Sequence, residues 1–210
     1  PVQYDPVKHM LDPYFLGLWL GDGDTAGQTI TTEDANIVRN ELKRLSLIGN
    51  KHIPKEYAID CIDHRLQLLA GLIDSDGTLN CKNGKPSNYE ITQENEGLAY
   101  GIRDLAISLG FNTSCKARLA TMKRKDGTIY KCKVWRVTIF GDLYSIPCRI
   151  ERKKAGQFEF HKNRRTPAHS GFTIEGIGEG EYFGFAVDKN GLFLLEDGTV
   201  VHNTKTCNVN

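Results

Sequence analysis

Two aspartates, each followed by glycine at the end of an apolar run, are the residues of this sequence best placed for chemistry. The run Leu69-Ala-Gly-Leu-Ile-Asp-Ser-Asp-Gly77 aligns without a gap with the upstream run Phe15-Leu-Gly-Leu-Trp-Leu-Gly-Asp-Gly23, so that Asp22 corresponds to Asp76. Both runs carry small residues four apart, a spacing that lets two helix backbones approach closely. The sequence therefore predicts two packed helices that end in neighbouring carboxylates, with Gly77 as a left-handed helix end.

The two carboxylates predict a site for a divalent cation. A carboxylate in the last turn of a helix faces the negative end of the helix dipole, which costs about 0.3–1 kcal/mol, and a second carboxylate nearby adds repulsion. A cation shared by Asp22 and Asp76 would reverse the sign of both effects. One Asp-Gly turn after a buried helix is ordinary, but two aligned copies favour a metal site.

The second run, LAGLIDSDG, resembles the signature motif of the LAGLIDADG homing endonucleases. The resemblance implies an α+β fold in which two αββαββα halves meet at the motif helices. It also implies that Asp22 and Asp76 bind Mg²⁺ at the scissile phosphates of double-stranded DNA. The stretch between the two motifs is shorter than the stretch after the second motif. We therefore expect two strands and part of a helix to be missing after Thr32, either because the first half is shortened or because a flexible stretch is absent from this sequence.

Two lysines are expected to serve the same site. The segment Gly49-Asn-Lys-His-Ile-Pro54 resembles one that precedes the second motif in homing endonucleases of the yeast vacuolar-ATPase intein and mating-type switching type. The family's catalytic lysine there corresponds to Lys51. A second family lysine falls on the pair Lys153-Lys154, with Lys154 preferred. An ammonium group would stabilise the negative charge that develops on the phosphate. The alternative for either lysine alone is a surface charge.

The C-terminal stretch resembles the last splicing blocks of an intein, which form a β-rich Hint segment. Two apolar runs, 181–187 and 191–203, end in Val-Val-His-Asn, and a threonine follows. The resemblance implies that the Asn203 side chain cyclises and breaks the bond to Thr204, with assistance from His202. The Thr204 hydroxyl would accept the upstream extein. The histidine that many inteins carry before the second run is absent.

The first steps of splicing would need a second molecule. Pro1 has neither thiol nor hydroxyl, and the residues before Asp12 are too few for the N-terminal half of a Hint fold. The expected partners are therefore an N-terminal intein fragment and a host extein protein. This reading divides the chain into a lead-in segment 1–12, an endonuclease 13–165, a splicing segment 166–203 and extein residues 204–210.

Basic residues are concentrated between Phe111 and Arg165, and the sign of the charge reverses from Gly171 to Val201. Beside paired carboxylates, a basic block indicates a surface that follows DNA phosphates, although a solvated face is the alternative. The candidate DNA-binding residues are Lys116, Arg118, Lys123, Arg124, Lys125, Lys131, Lys133, Arg136, Arg152 and Lys153.

Hydrophobic periodicity and turn residues predict the remaining elements. The predicted helices are 13–21, begun by Asp12 and Pro13, then 34–45, 65–74 and 95–109, the last stopped by Gly110. The predicted strands are 28–32, 89–92, 116–123 and 130–140, of which the last two form a hairpin. Ile37 is expected on the apolar face of the second helix.

Composition gives few further restrictions. The formal net charge is +1, which neither favours nor excludes nucleic acid. No apolar run has the length of a membrane span, no secretory leader is recognisable, and the six cysteines are scattered without a Cys-x-x-Cys pair. We therefore expect a chain with reduced thiols, in the nucleus or cytoplasm.

The predicted function is a site-specific, Mg²⁺-dependent double-strand DNA endonuclease joined to part of an intein. The alternative is a DNA-binding remnant that serves only in splicing.

Overall fold

The computed structural model describes residues 1–24, 35–123 and 129–156, and, towards the C-terminus, residues 173, 175–176, 178, 180–181, 185–188, 190–195 and 200–202. The chain forms two compact units, Pro1–Pro167 and Ala168–Asn210. The helices of the first unit are α1 Pro13–Asp22, α2 Ala35–Arg44, α3 Lys55–Ala58, α4 Ile62–Asp76 and α5 Glu96–Ser108. Its strands are β1 Gly77–Lys82, β2 Lys85–Gln93, β3 Asn112–Lys123 and β4 Ile129–Phe140. This mixture of helices with one antiparallel sheet confirms the expected α+β class.

Helices α1 and α4 pack with almost no space between their backbones. A Cβ atom added at Gly17 would lie 2.2 Å from the Leu68 carbonyl oxygen, and one added at Gly71 would lie 2.1 Å from the Tyr14 carbonyl oxygen. Only glycine fits at such separations, so the prediction of closely packed motif helices is confirmed.

The predicted start of α1 is confirmed, whereas the predicted conformation at the end of α4 is not. Asp12 caps α1 by accepting a hydrogen bond from the Phe15 N–H at 2.9 Å, and Pro13 begins the helix, as predicted. Gly77 has φ −81° and ψ 157°, so the prediction of a left-handed residue there is wrong. The position needs glycine for space, because an added Cβ would lie 2.7 Å from the Ile73 backbone.

The sheet has strand order β1-β2-β4-β3, and every neighbouring pair is antiparallel. Four of its core-facing side chains have no exposed surface, namely Tyr89, Ile91, Val137 and Ile139. These residues alternate with polar ones along β2 and β4, as the period of a half-buried strand requires. One face of the sheet therefore packs against the core, and the other, called the open face, carries the exposed side chains of Lys116 and Arg118.

The sequence prediction missed the first hairpin of this sheet. Strand β1 was not predicted, and β2 was expected only over 89–92. The connection contains Asn83 and Gly84, both with positive φ (53° and 70°), which are the values of a type I′ hairpin turn. An Asn-Gly pair between two strands is a strong hairpin signal and could have identified both strands.

The other predicted elements are present with shifted boundaries. Helix α4 begins three residues before the predicted Arg65, and α3 was not predicted. Ile37 is 52% exposed, so its placement on the buried face of α2 was wrong. The predicted strand 28–32 lies outside the described residues. In the described part of the chain between Gly23 and α4, α2 and α3 are the only regular elements.

The lead-in segment is bound tightly to the first unit although it has no regular structure. The Val2 N–H donates to the Ser108 carbonyl at 2.8 Å, and the Tyr57 hydroxyl donates to the Leu11 carbonyl at 3.0 Å. The fully buried guanidinium of Arg65 donates to the Val2 carbonyl and, at 2.7 Å, to Ser108 Oγ. Backbone groups of this segment are thus paired by side chains from two helices.

The second unit contains a short antiparallel pair, β5 Leu192–Leu194 and β6 Val200–His202, with Leu192 opposite His202. The Phe185 and Phe193 rings meet edge to face with their centroids 4.9 Å apart. Both strands fall in the second apolar run of the sequence. Across the described residues, no helix combines the length and the hydropathy that a membrane span needs. The five cysteines among these residues are all free.

Candidate active site

The close packing of α1 and α4 brings Asp22 and Asp76 together at the adjacent C-terminal ends of the two helices. A Cβ added at Gly21 would lie 2.0 Å from Ser75 Oγ and 3.4 Å from Asp76 Cγ. The two carboxyl groups are close enough to share a hydrogen bond. The arrangement predicted from the repeated motif is therefore the one in the structure.

The environment of Asp76 disfavours its negative charge. Burial raises the pKa of the Asp76 carboxyl, and the charge of Asp22 raises it further, against the opposing effects of a hydrogen bond from Gln93 and the charge of Lys51. Two oxygen-donor groups held together against their own repulsion form the ligand set that a hard divalent cation prefers. Asp22 and Asp76 would hold such an ion.

Gln93 is a site residue that the sequence analysis missed. Its Nε2 donates to Asp76 Oδ2 at 2.6 Å, and the side chain is 9% exposed at the end of β2. Gln93 lies two residues after Ile91 and four after Tyr89, so strand alternation places it on the core-facing side. A polar residue at a buried strand position is the signal that could have found it.

Lys51 lies beside both carboxylates, as expected. Its ammonium donates to the Gly21 carbonyl at 3.0 Å and lies 5.2 Å from the centroid of the Trp19 ring. Burial lowers the pKa of Lys51, although the charges of Asp76 and Asp22 act in the opposite direction. The cation is thus held at the end of α1, facing the two acids.

The structure separates the two lysines of the pair 153–154 in a way that the sequence did not predict. The buried Lys153 ammonium donates to the carbonyls of Ile73, Asp74 and Ser75 at 2.8, 2.7 and 3.0 Å. It therefore caps the C-terminal end of α4, and its three donor hydrogens are all used. This geometry contradicts the expected contact of Lys153 with DNA. Lys154 is half exposed and pairs with Glu151 at 2.7 Å, so the preferred catalytic lysine is the one turned away from α4.

Asp74 holds the segment that carries Lys153 against helix α4. Its Oδ2 accepts hydrogen bonds from the Tyr14 hydroxyl at 2.8 Å and from the Arg149 N–H at 2.6 Å. The Arg149 guanidinium lies over the Tyr14 ring, 3.6 Å from its centroid. Of the two aspartates in the second motif, Asp74 is therefore structural and Asp76 faces the site.

The predicted DNA-binding residues of the β3–β4 hairpin divide between two faces of the sheet. Lys116 is paired with Arg136 in the register, and Arg118 lies two residues further along β3, so these three side chains share the open face. Lys131 and Lys133 alternate in step with Trp135, on the opposite face. The Lys133 ammonium lies 4.6 Å from the centroid of the Trp135 ring. The basic block is not one continuous surface.

The remaining predicted residues are near the edges of the described structure. Arg152 is exposed in a 3₁₀ turn, and His202 is exposed at the end of β6. The Lys123 side chain and the predicted site residues Arg124, Lys125, Asn203 and Thr204 lie outside the described residues.

The sequence is similar to proteins of known kind. The family model for homing endonucleases matches residues 52–160. A replicative DNA helicase DnaB from Mycobacterium intracellulare is 32% identical over 136 residues, 58% of this chain and 23% of that protein. A homothallic switching endonuclease from Saccharomyces cerevisiae is 29% identical over 169 residues, 77% of this chain and 28% of that protein. The chain thus spans only about a quarter of the length of either relative. Since the family model covers α4, the sheet and the segment after it, the chain belongs to the homing endonuclease family.

Proposed function

We propose that the chain is a site-specific, Mg²⁺-dependent endonuclease of the LAGLIDADG type that cuts double-stranded DNA. The observation that carries this function is the pair of opposed carboxylates of Asp22 and Asp76, held together by glycine-to-glycine packing of α1 and α4. Both copies of the motif lie in one chain, so a single chain contains both halves of the site. Incubating the protein with a DNA library in Mg²⁺ tests the proposal. We expect cut products that are absent in EDTA.

The side chains around the pair have separate tasks. When bound, Mg²⁺ activates water and stabilises the charge that develops on the phosphate. Gln93 holds Asp76 Oδ2 in a fixed orientation, and Lys51 supplies a positive charge at the end of α1. Lys153 neutralises the carbonyl end of α4, which keeps Asp76 in place. Lys154, the lysine that the sequence favours for catalysis, is turned away from α4 and pairs with Glu151 at 2.7 Å, so it would reach a phosphate only after its side chain leaves Glu151 and swings towards the site.

The open face of the sheet is the proposed DNA-binding surface. It carries Lys116, Arg118 and Arg136, and Arg136 forms an ion pair with Glu90 at 3.1 Å. Replacing Lys116 and Arg118 together with alanine should weaken binding similarly for all DNA sequences. The slope of log K against log[salt] should shrink by about 1.8, because each phosphate contact contributes about 0.9.

A matched control is available on the same hairpin. The double substitution of Lys131 and Lys133 with alanine removes the same charge from the other face of the sheet. We expect this variant to keep the wild-type salt slope in fluorescence-anisotropy titrations. Equal reductions of the slope in both double variants would show that net charge, rather than the open face, determines DNA binding.

A remnant that binds DNA without cutting it is the second candidate. It is favoured by the described structure between Gly23 and α4, where α2 and α3 are the only regular elements. A first half that lacks two strands, as the sequence indicates, would offer few contacts to one side of a DNA target. The library experiment separates the candidates, since selective retention of DNA without nicking in Mg²⁺ would support the remnant.

We also propose that the C-terminal segment is the last part of an intein and needs an N-terminal intein fragment and a host extein. The support is the sequence at the junction, together with the β5–β6 pair that ends at His202. In such a mixture the Asn203 side chain attacks its own carbonyl carbon. A succinimide forms and the bond to Thr204 breaks. A proton from the side-chain amide nitrogen passes to the released amine of Thr204.

Mass spectrometry of the mixed fragments tests the splicing proposal. The wild-type chain should release a peptide that begins at Thr204, and Asn203→Ala should release none, because the succinimide cannot form. His202→Ala should only slow the release, since histidine assists a reaction that asparagine performs. Release from the Asn203→Ala variant would contradict this mechanism.

A further inference from the structure

A second group of possible metal ligands lies at the other end of α4, away from the candidate active site. His9 of the lead-in segment, Asp60 and His64 offer three ligand atoms that all lie within 4.8 Å of one another. The distance between His9 Nε2 and Asp60 Oδ2 is 2.5 Å, and that between His64 Nδ1 and the same oxygen is 2.8 Å. Both imidazoles therefore converge on one carboxylate oxygen.

The surroundings hold this group in position. Asp60 is fully buried, and its other oxygen accepts hydrogen bonds from the Val7 N–H at 2.8 Å and the Cys61 N–H at 2.6 Å. The His9 ring is stacked on the Tyr57 ring, with centroids 3.8 Å apart and planes 16° apart. Neither the carboxylate nor this imidazole can turn freely, so the ligand atoms are arranged before any ion binds.

The hydrogen bonds of His9 are incomplete without a positive charge at the cluster. Its side chain is 2% exposed, and its Nδ1 is buried without a hydrogen-bond partner. The polar atom that Nδ1 faces is Glu56 Oε1, an acceptor 3.9 Å away. A proton on Nε2 lets the ring donate to Asp60 but leaves the Nδ1 lone pair facing Glu56, whereas a proton on Nδ1 leaves the Nε2 lone pair facing the anionic Asp60 oxygen. A cation between Nε2 and Asp60 resolves the conflict.

We propose that His9, Asp60 and His64 form a structural site for a transition-metal cation of the Zn²⁺ class. Two imidazoles and one carboxylate favour such ions over Mg²⁺. Zn²⁺ binds nitrogen and oxygen at about 2.0–2.2 Å in tetrahedral geometry. To admit the ion, each imidazole nitrogen must therefore move less than about 1 Å further from Asp60 Oδ2. His64 is 34% exposed, so water can reach the fourth position. Glu56 would accept the Nδ1 proton of a metal-bound His9, as outer carboxylates commonly do.

The site would join two distant parts of the chain. His9 belongs to the lead-in segment before α1, whereas His64 belongs to the first turn of α4. A shared ion would therefore connect the segment before α1 to the first turn of α4. It would strengthen the attachment that Arg65 and Tyr57 already provide through backbone hydrogen bonds.

Metal-free protein titrated with Zn²⁺, and separately with Co²⁺, tests the proposal. We expect one equivalent to bind more tightly than any ion at Asp22 and Asp76, a rise of the melting temperature with Zn²⁺, and the visible absorption of tetrahedral Co²⁺. His64→Gln keeps a hydrogen-bond donor for Asp60 but loses the imidazole ligand. It should lose at least about 100-fold in Zn²⁺ affinity, since even outer partners of such ligands contribute 10–100-fold.

Two controls separate this site from other metal-binding groups. His52→Ala removes an imidazole that pairs only with the Asn50 carbonyl in the described structure, and Asp76→Asn alters the candidate active site. Both variants should keep the Zn²⁺ affinity of the wild type. Absence of Zn²⁺ binding by the wild type would overturn the proposal, as would unchanged affinity in His64→Gln.

Discussion

Asp76→Asn is expected to lower the rate of double-strand cleavage by at least about 10³-fold, because a lost metal ligand removes about 4 kcal/mol of transition-state stabilisation. DNA binding should stay close to that of the wild type, since the open face of the sheet is unchanged. In Mg²⁺-free buffer the variant should be slightly more stable than the wild type. The substitution removes repulsion with Asp22 and an unfavourable charge at the end of α4.

The same helix provides a matched control. Asp63 is exposed in the first turn of α4, so Asp63→Asn removes one negative charge from the opposite end of the helix. Cleavage by this variant should equal that of the wild type. Added Mg²⁺ should raise the melting temperature of the wild type and of Asp63→Asn, but not that of Asp76→Asn. Full cleavage activity in Asp76→Asn would disprove the assignment of the site.

Gly71→Ala is expected to destabilise the fold by about 3 kcal/mol, the upper part of the usual range for overpacked cores. Its new methyl group would lie 2.1 Å from the Tyr14 carbonyl oxygen, and backbone atoms cannot rotate out of its way. Helices α1 and α4 must then move apart, which separates Asp22 from Asp76. We therefore expect cleavage to be lost together with stability in urea unfolding experiments.

Gly101→Ala is the control for this substitution. Gly101 lies within α5, and an added Cβ would make ordinary contacts with Ile53, the nearest at 3.5 Å. Here the methyl group should stabilise the helix by about 0.5–1 kcal/mol, because alanine loses less backbone entropy than glycine. If Gly71→Ala lowers the free energy of unfolding and Gly101→Ala raises it, the loss at Gly71 is due to the contact between α1 and α4 rather than to helix propensity. Similar effects would contradict the close-packing argument.

The motif helices, α5 and the β3–β4 hairpin could be predicted because their signals are local. The small residues four apart in each motif (Gly17 with Gly21, and Gly71 with Ser75), the Asn95 cap and the alternation along β4 each depend on a few neighbouring residues. Gly77 shows how a local rule fails. Glycine does follow the helix there, but the reason is contact with Ile73 rather than a left-handed backbone.

The residues that support the site could not be predicted in the same way. Gln93 and Lys153 act through partners on other elements, and those partners come together only when the chain folds. Lys153 and Lys154 are adjacent and chemically identical, so only the geometry of their 3₁₀ turn decides which ammonium reaches α4. Asp60 depends on a lead-in segment whose docking has no periodic signal.

The contact between α1 and α4 also limits how far the first half of such a protein can erode. Leu16 and Leu20 of α1 have no exposed surface, and neither have Leu68 and Leu72 of α4. All four belong to one hydrophobic core, and full burial of a leucine side chain contributes about 1.5–3 kcal/mol, so loss of α1 would expose part of this core. A non-cleaving descendant must therefore keep α1 in order to fold, but it gains nothing from Asp22, whose charge repels Asp76. The helix would outlast the activity, and its aspartate would be discarded first.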